Sequence, residues 1–210
     1  MTVAVIDSGG ANLASVVHAL GRLGVEAILT RDADVIRQAE RVILPGVGAA
    51  APAMESLRSA GLTGVIRTLE QPVLGICLGL QLLFQSSAEG DVECLGIVPG
   101  QVTRLPSGPE IRLLHMGWNQ LQWHTDDPLS RGLASDAWFY FVHGYAAPAD
   151  RAVAVASHGR DFGAVVRKDN FVACQFHPEK SGGAGARLLA NFLEPRASSA
   201  QPEILSGGAA

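Results

Sequence analysis

Long apolar runs, clustered basic residues and regularly spaced cysteines are all missing from this 210-residue chain. No stretch approaches the roughly 20 apolar residues that a membrane-spanning helix needs, so no membrane span is expected. The formal net charge is −4 and no run of Lys and Arg offsets it, which argues against nucleic acid as a partner. Three cysteines, Cys77, Cys94 and Cys174, are too scattered for a disulfide framework or a metal-ligand motif. They suit a reducing, cytoplasmic setting. The opening Met1-Thr2-Val3-Ala4-Val5-Ile6-Asp7 has no basic region ahead of its short apolar run and reads as a first strand, not a signal peptide. No internal repeat and no linker divides the chain. What is present is an ordinary globular balance, 48 % apolar and 17 % charged, at a length that suits one domain with a substantial core.

The first half alternates strand-like and helix-like runs. Strands are expected over 3–6, 25–29, 42–44 and 73–76, and helices over 12–23, 32–39, 51–59 and 63–69. Leu13, Val16, Val17, Leu20 and Leu23 recur at helical spacing in the first helix. Short apolar strands separated by helices imply a parallel sheet covered on both faces, with ligands gathering beyond the carboxyl ends of the strands. The second half is richer in strands, expected over 98–105, 118–123, 137–142, 152–157, 162–167 and 171–176, with a closing helix over 185–193. From Pro195 to Ala210 the composition turns to Ser, Ala, Gly and Pro without an apolar period, which predicts a mobile tail.

The most informative stretch is Gly75-Ile76-Cys77-Leu78-Gly79, between a buried strand and a run (80–85) that reads as the first turns of a helix. Glycines two residues either side of a nucleophile permit the sharp strand-to-helix turn of the G-x-S-x-G elbow, here with a thiol. Such a turn points Cys77 outward at the positive end of a helix dipole, where a thiolate is favoured. One hundred residues later stands His177-Pro178-Glu179. Pro178 restricts His177 to extended backbone, and Glu179 is placed to turn back and orient the imidazole as the third member of a triad does. The turn Pro45-Gly46-Val47-Gly48 follows another strand, and its freely rotating peptides, at Val47 and Gly48, together with the N–H of Leu78, are candidate oxyanion donors. Its competing reading is a tight connection only. Cys94 and Cys174 lack the elbow and read as structural, and the other five histidines have no motif-level partner and default to structural or surface roles. Asp7-Ser8-Gly9-Gly10-Ala11-Asn12 lacks the spacing of a dinucleotide or Walker motif. No metal site and no cofactor is suggested. These residues define acyl transfer, compatible with proteases, thioesterases and amidases alike.

The sequences Gly75-Ile76-Cys77-Leu78-Gly79-Leu80-Gln81 and Gln175-Phe176-His177-Pro178-Glu179-Lys180-Ser181 resemble the class I (triad-type) glutamine amidotransferases. Asn12-Leu13, Pro45-Gly46-Val47-Gly48-Ala49, His115-Met116-Gly117-Trp118-Asn119 and Tyr140-Phe141-Val142-His143-Gly144-Tyr145 narrow the resemblance to the glutaminase subunits of imidazole glycerol phosphate synthases. It implies an α/β fold over residues 1–194, a mostly parallel central sheet flanked by helices with additional antiparallel strands in the second half. It also implies that Cys77 attacks glutamine, that His177 hands its proton to the departing ammonia and that Glu179 orients His177. Gln81 and Glu89 would hold the substrate. Ammonia would pass to a (β/α)8-barrel synthase subunit, making imidazole glycerol phosphate and aminoimidazole carboxamide ribotide in histidine biosynthesis. Asn12, Trp118, Tyr140 and Lys180 match positions facing that partner or the ammonia passage. The chain departs from the family pattern at Ser8, Ala11, Ala50 and Leu114. The alternatives are a glutaminase serving another synthase and a non-catalytic regulatory homologue, and the Gly46–Gly48 turn is a candidate for reorientation when a partner docks.

Overall fold

A computed structural model of the chain describes residues 1–9, 13–109 and 111–194. The expected tail over 195–210, and the expected interface residue Asn12, lie outside the described residues. Each of the first apolar runs becomes a strand or a helix with one buried face; the strands Val3–Ile6, Arg41–Gly46 and Val73–Cys77 are fully buried, while Ala27–Thr30 at the sheet edge exposes Ile28 and Leu29. In chain order these are β1 (Val3–Ile6), α1 (Leu13–Arg22), β2 (Ala27–Thr30), α2 (Ala33–Gln38), β3 (Arg41–Gly46), α3 (Ala50–Ser59), α4 (Leu62–Arg67), β4 (Val73–Cys77) and α5 (Leu78–Leu82). There follow β5 (Phe84–Ser87), β6 (Val92–Glu93), β7 (Val98–Arg104), β8 (His115–Gln120), β9 (Gln122–Trp123), β10 (Trp138–His143) and β11 (Tyr145–Ala146). The chain closes with β12 (Ala152–Ser157), β13 (Asp161–Lys168), β14 (Phe171–Cys174) and α6 (Gly182–Leu193).

An eight-stranded sheet in the order β2-β1-β3-β4-β14-β13-β12-β9 forms the centre. Strands β2, β1, β3, β4 and β14 pair in parallel, and β13, β12 and β9 extend the sheet antiparallel. Side chains alternate across it, so two cores form. Ala4, Ile6, Val42, Leu44 and Val73 pack with α3, α4 and α5 on one face. Val3, Val5, Ile43, Leu74 and Ile76 pack with α1, α6 and the aromatic side of β10 on the other. This two-sided burial is why β1, β3, β4 and β14 read as unbroken apolar runs.

Two smaller sheets flank the centre, a two-stranded β10–β8 ribbon and a four-stranded β11-β7-β5-β6 sheet. They correct the sequence reading in two places. The run 80–85 does not continue as a helix: α5 stops at Leu82 and Phe84 opens β5, which pairs with β7. An apolar run of that length fits helix and strand alike, and pairing with β7 decides it. The single strand expected over 118–123 is two, β8 on the ribbon and β9 on the edge of the main sheet.

Glycines at two close approaches fix the elbow and the His-Pro-Glu turn. A Cβ on Gly79 would stand 1.8 Å from the Leu44 carbonyl oxygen, so α5 can pack on β3 only without a side chain there. A Cβ on Gly185 would stand 1.9 Å from the Pro178 carbonyl oxygen, so α6 seats the turn after His177 directly on its backbone.

Candidate active site

The parallel register sets Gly46 at the end of β3 beside Cys77 at the end of β4, so the glycine turn and the elbow adjoin at the carboxyl edge of the sheet. Cys77 sits at φ 54° and ψ −108°, a conformation strained for a side-chain-bearing residue and typical of a nucleophile turn. It is 6 % exposed, less outward than the elbow alone suggests, and meets solvent beside a cavity of about 180 Å³. Helix α5, which it precedes, is only five residues long, so the expected dipole is a short one. The cavity is smaller than the about 300 Å³ at which sites for drug-sized ligands begin, which suits a single small substrate.

Of the residues singled out from sequence, Cys77, His177, Val47, Gly48, Leu78, Gln81 and Glu89 all line this cavity. Glu179 stands behind His177: its Oε1 accepts from His177 Nδ1 at 2.8 Å, with the two side chains 0 % and 2 % exposed. That bond fixes the Nδ1–H and turns Nε2 toward the thiol side, where it completes no well-formed hydrogen bond. Burial alone would lower the basicity of His177, but its interactions with Cys77 and with the Glu179 carboxylate outweigh this and push its pKa up to about 10.

Strand β10 braces the same group. The Tyr140 carbonyl accepts from His177 N–H at 2.9 Å, and Tyr140 N–H donates to Ser181 Oγ, whose hydroxyl donates to the His177 carbonyl. The Val142 carbonyl lies 3.9 Å from Cys77 Sγ. Gly48 has φ +95°, the region glycine occupies without strain, so its neighbouring peptides are free to turn. Ser8 is buried and donates its hydroxyl to the Pro45 carbonyl at 2.9 Å, tying β1 to the start of the glycine turn.

Glu89 Oε2 accepts from the Ala50 N–H at 3.0 Å, which fixes the carboxylate beside the cavity, and burial raises its pKa against that bond. Gln81 is committed to the protein: its Nε2 donates to the Tyr145 carbonyl at 2.9 Å and to Gln175 Oε1 at 3.0 Å. Gln175 in turn points its Nε2 at Cys77 Sγ from 3.8 Å. Sequence reasoning gave Gln175 no role of its own. Lys180 and Trp118 are exposed, and Trp118 meets half-buried Tyr140 edge-on with ring centroids 5.8 Å apart. Met116 and Trp138 are exposed on the same β8–β10 ribbon as Trp118, and Lys180 lies in the turn after His177.

Of the five remaining histidines, His158 is held by the Arg112 carbonyl, and His115 and His143 form a buried pair, a structural role of the kind expected but with a partner that no motif disclosed. His115 Nδ1 and His143 Nε2 are 3.0 Å apart, and His143 lines the cavity. Burial, with neighbouring histidine charges adding to it, lowers the pKa of His115 to about 4 and that of His143 to about 3. The signal was present: an antiparallel pairing that sets Trp118 opposite Tyr140 also sets His115 opposite His143. Cys94 is buried with its thiol pKa pushed up to about 11, and burial also raises that of Cys174. Among the described residues no cluster of His, Cys, Asp and Glu is arranged to hold a metal ion.

The family model of class-I glutamine amidotransferases matches residues 4–195. The chain is 56 % identical over 193 residues to a protein of Xanthomonas axonopodis pv. citri named imidazole glycerol phosphate synthase subunit HisH, covering 91 % of this chain and 96 % of that one. A protein of the same name from Xylella fastidiosa (strain Temecula1) is 52 % identical over the same shares. Among solved structures, PurLQS from Thermotoga maritima superposes with a TM-score of 0.69 at 21 % identity, covering 91 % of this chain and 97 % of that one. The glutaminase domain of Trypanosoma brucei CTPS, with bound acivicin, gives 0.64 at 16 % identity, covering 92 % and 94 %. Those two likenesses concern the fold.

Proposed function

The chain belongs to the class-I glutamine amidotransferases, and from that premise we propose that it is the glutaminase subunit of an imidazole glycerol phosphate synthase. It hydrolyses L-glutamine and delivers the ammonia to a (β/α)8-barrel synthase subunit docked over the Trp118, Tyr140 and Lys180 side. The observation that carries the reading is a thiol, an imidazole backed by a buried carboxylate, and a fixed carboxylate at Glu89, all at one cavity sized for an amino acid.

Glutamine enters with its ammonium group on Glu89, a charge-assisted pairing. Cys77 Sγ passes its proton to His177 Nε2 and forms a bond to the side-chain amide carbon, and the oxygen gathers negative charge facing the Leu78 N–H and the peptides at Val47 and Gly48. His177 Nε2 gives its proton to the amide nitrogen, the C–N bond breaks and ammonia leaves. Water then attacks the glutamyl thioester with His177 taking its proton, the S–C bond breaks to release glutamate, and His177 returns the proton to the sulfur to restore the thiol. Glu179 holds one imidazole orientation through both proton transfers. The mobile peptide at Gly48 supplies a gate: a docked partner turns its N–H inward, so the isolated subunit is nearly silent.

Within the described residues no helix is long and apolar enough to cross a membrane. The three unpaired cysteines fit a cytoplasmic setting. The decisive measurement is glutamate release by the purified subunit with and without a barrel synthase subunit and its nucleotide ligand. Strong stimulation is expected. Vigorous activity without the partner would remove the gate, and absence of stimulation would direct the ammonia to a different synthase.

A further inference from the structure

The glutamine pocket is continuous with a line of hydrogen bonds that ends on the exposed ribbon. Asn119 Nδ2 donates to the Ser157 carbonyl at 2.9 Å and stands 3.3 Å from His115 Nε2. His115 Nδ1 meets His143 Nε2 at 3.0 Å, and His143 Nδ1 meets the Tyr145 carbonyl at 2.8 Å. The same carbonyl accepts from Gln81, which donates to Gln175, which faces the Cys77 sulfur.

Its protons have only one consistent arrangement. A carbonyl accepts and never donates, so His143 carries its hydrogen on Nδ1 and accepts at Nε2. His115 must then donate from Nδ1 and accept at Nε2 from the Asn119 amide. Both rings are neutral in this scheme, in keeping with their burial and lowered basicity. His115 is further confined by stacking between Phe141 at 4.8 Å and His158 at 4.5 Å. His158 itself is held by the Arg112 carbonyl at 2.8 Å. A buried line with every proton assigned is stiff, since any displacement leaves a polar atom without a partner.

We propose that His143 and His115 are positioning residues, a neutral imidazole pair that holds the Tyr145 carbonyl, and through Gln81 and Gln175 the Cys77 thiol, in register with the β8–β10 ribbon. This rests on Cys77 being the nucleophile for glutamine. The pair makes the position of the ribbon's inner face a determinant of thiol alignment. It complements the backbone contacts by which Tyr140 braces His177.

Two measurements test it on the full chain. Side-chain 15N NMR should find both rings neutral at pH 6 with the hydrogen on Nδ1, and a charged ring or an Nε2–H form at either histidine overturns the proposal. Glutaminase kinetics with the barrel subunit present should show kcat falling about 10²-fold in H143L, the scale expected of an ångström-level misplacement, with KM changed less than about threefold. In H143N the amide nitrogen occupies the place of Nδ1 and restores the bond to Tyr145, so kcat should return to within about tenfold of wild type. A purely structural role would lower the two variants alike, in proportion to the folded protein recovered, and that result refutes the relay. So does a wild-type kcat in H143L. A wild-type enzyme that releases no glutamate with any synthase refutes the functional reading instead, and leaves the NMR assignment standing.

Discussion

Replacing Gly79 by Ala tests the elbow at its tightest point. The added Cβ would lie 1.8 Å from the Leu44 carbonyl oxygen, and real contacts below 3.0 Å are essentially unknown, so one side must retreat by about 1.2 Å. Leu44 cannot yield cheaply, because β3 is hydrogen-bonded to β1 on one side and to β4 on the other. Helix α5 must move, and it begins at the residue after Cys77. Overpacking of this kind costs typically 1–3 kcal/mol, and a backbone target places Gly79→Ala at about 3 kcal/mol. Displacing Leu78 and Cys77 by about 1 Å should also cost about 10²-fold in activity. Gly75→Ala meets the Ala173 Cβ at 2.8 Å and backbone of Gly79 at 3.0 Å, so a smaller loss of about 1–2 kcal/mol is expected. Gly64→Ala, in α4 with nothing within 4 Å, should instead stabilise by about 0.5–1 kcal/mol through helix propensity. Urea unfolding followed by circular dichroism ranks the three, and glutaminase assay with the partner reads the active site. A Gly79→Ala protein within about 0.5 kcal/mol of wild type and fully active would refute this account of the elbow.

Other expectations follow from the charges and thiols. Glu179→Gln keeps an acceptor for His177 Nδ1 but removes a buried charge, a difference of about 1.4 kcal/mol or one pH unit. The alkaline limb of glutaminase activity should therefore fall from about pH 10 by about one unit, and an unmoved limb would contradict the role given to Glu179. His115 and His143 have folded pKa values of about 4 and about 3, below the 6.5 of the free side chain. Their contribution to stability is therefore complete above about pH 6.5 and lost as pH falls toward 4. His177 has the opposite sign, contributing below about pH 6.5 and losing that contribution as pH rises through about 10. Urea midpoints between pH 7 and pH 4.5 should drop more steeply in wild type than in an H115N/H143N double variant. Iodoacetamide should modify Cys77 first by mass spectrometry, because Cys94 and Cys174 are buried with raised pKa values. Early labelling of either would show that its burial is not maintained in solution.

The parallel half was legible because β1, β3, β4 and β14 are buried on both faces and its breaks are Gly, Pro and Asp. The juxtaposition of Cys77 with the Gly46–Gly48 turn followed from the rule that such loops gather at one sheet edge. The location of His177 just past β14 came the same way. The fate of residues 80–85 was not legible, since Leu80-Gln81-Leu82-Leu83-Phe84-Gln85 is apolar at both helical and strand periods. Only the arrival of β7 beside Phe84 makes it a strand. His115 and His143 stayed hidden for a related reason: 28 positions separate them, and their partnership exists only once β8 and β10 pair. Gln175 was read as part of a motif, but its contact with Gln81 spans 94 positions and depends on β14 lying beside β4.

The β8–β10 ribbon also gives the molecule an intrinsic optical label. The chain has three tryptophans, and Trp118 and Trp138 project from the ribbon's outer face, 53 % and 52 % exposed, while Trp123 lies on β9 just beyond it. Indole emission shifts with the polarity around the ring, and no tryptophan lies elsewhere in the sequence to dilute the signal. Titrating the unlabelled protein with a synthase subunit should therefore move the emission toward the blue as this face loses water. The indoles sit on the strands that brace the thiol and the imidazole, so the proposed docking has a reporter within the chain itself.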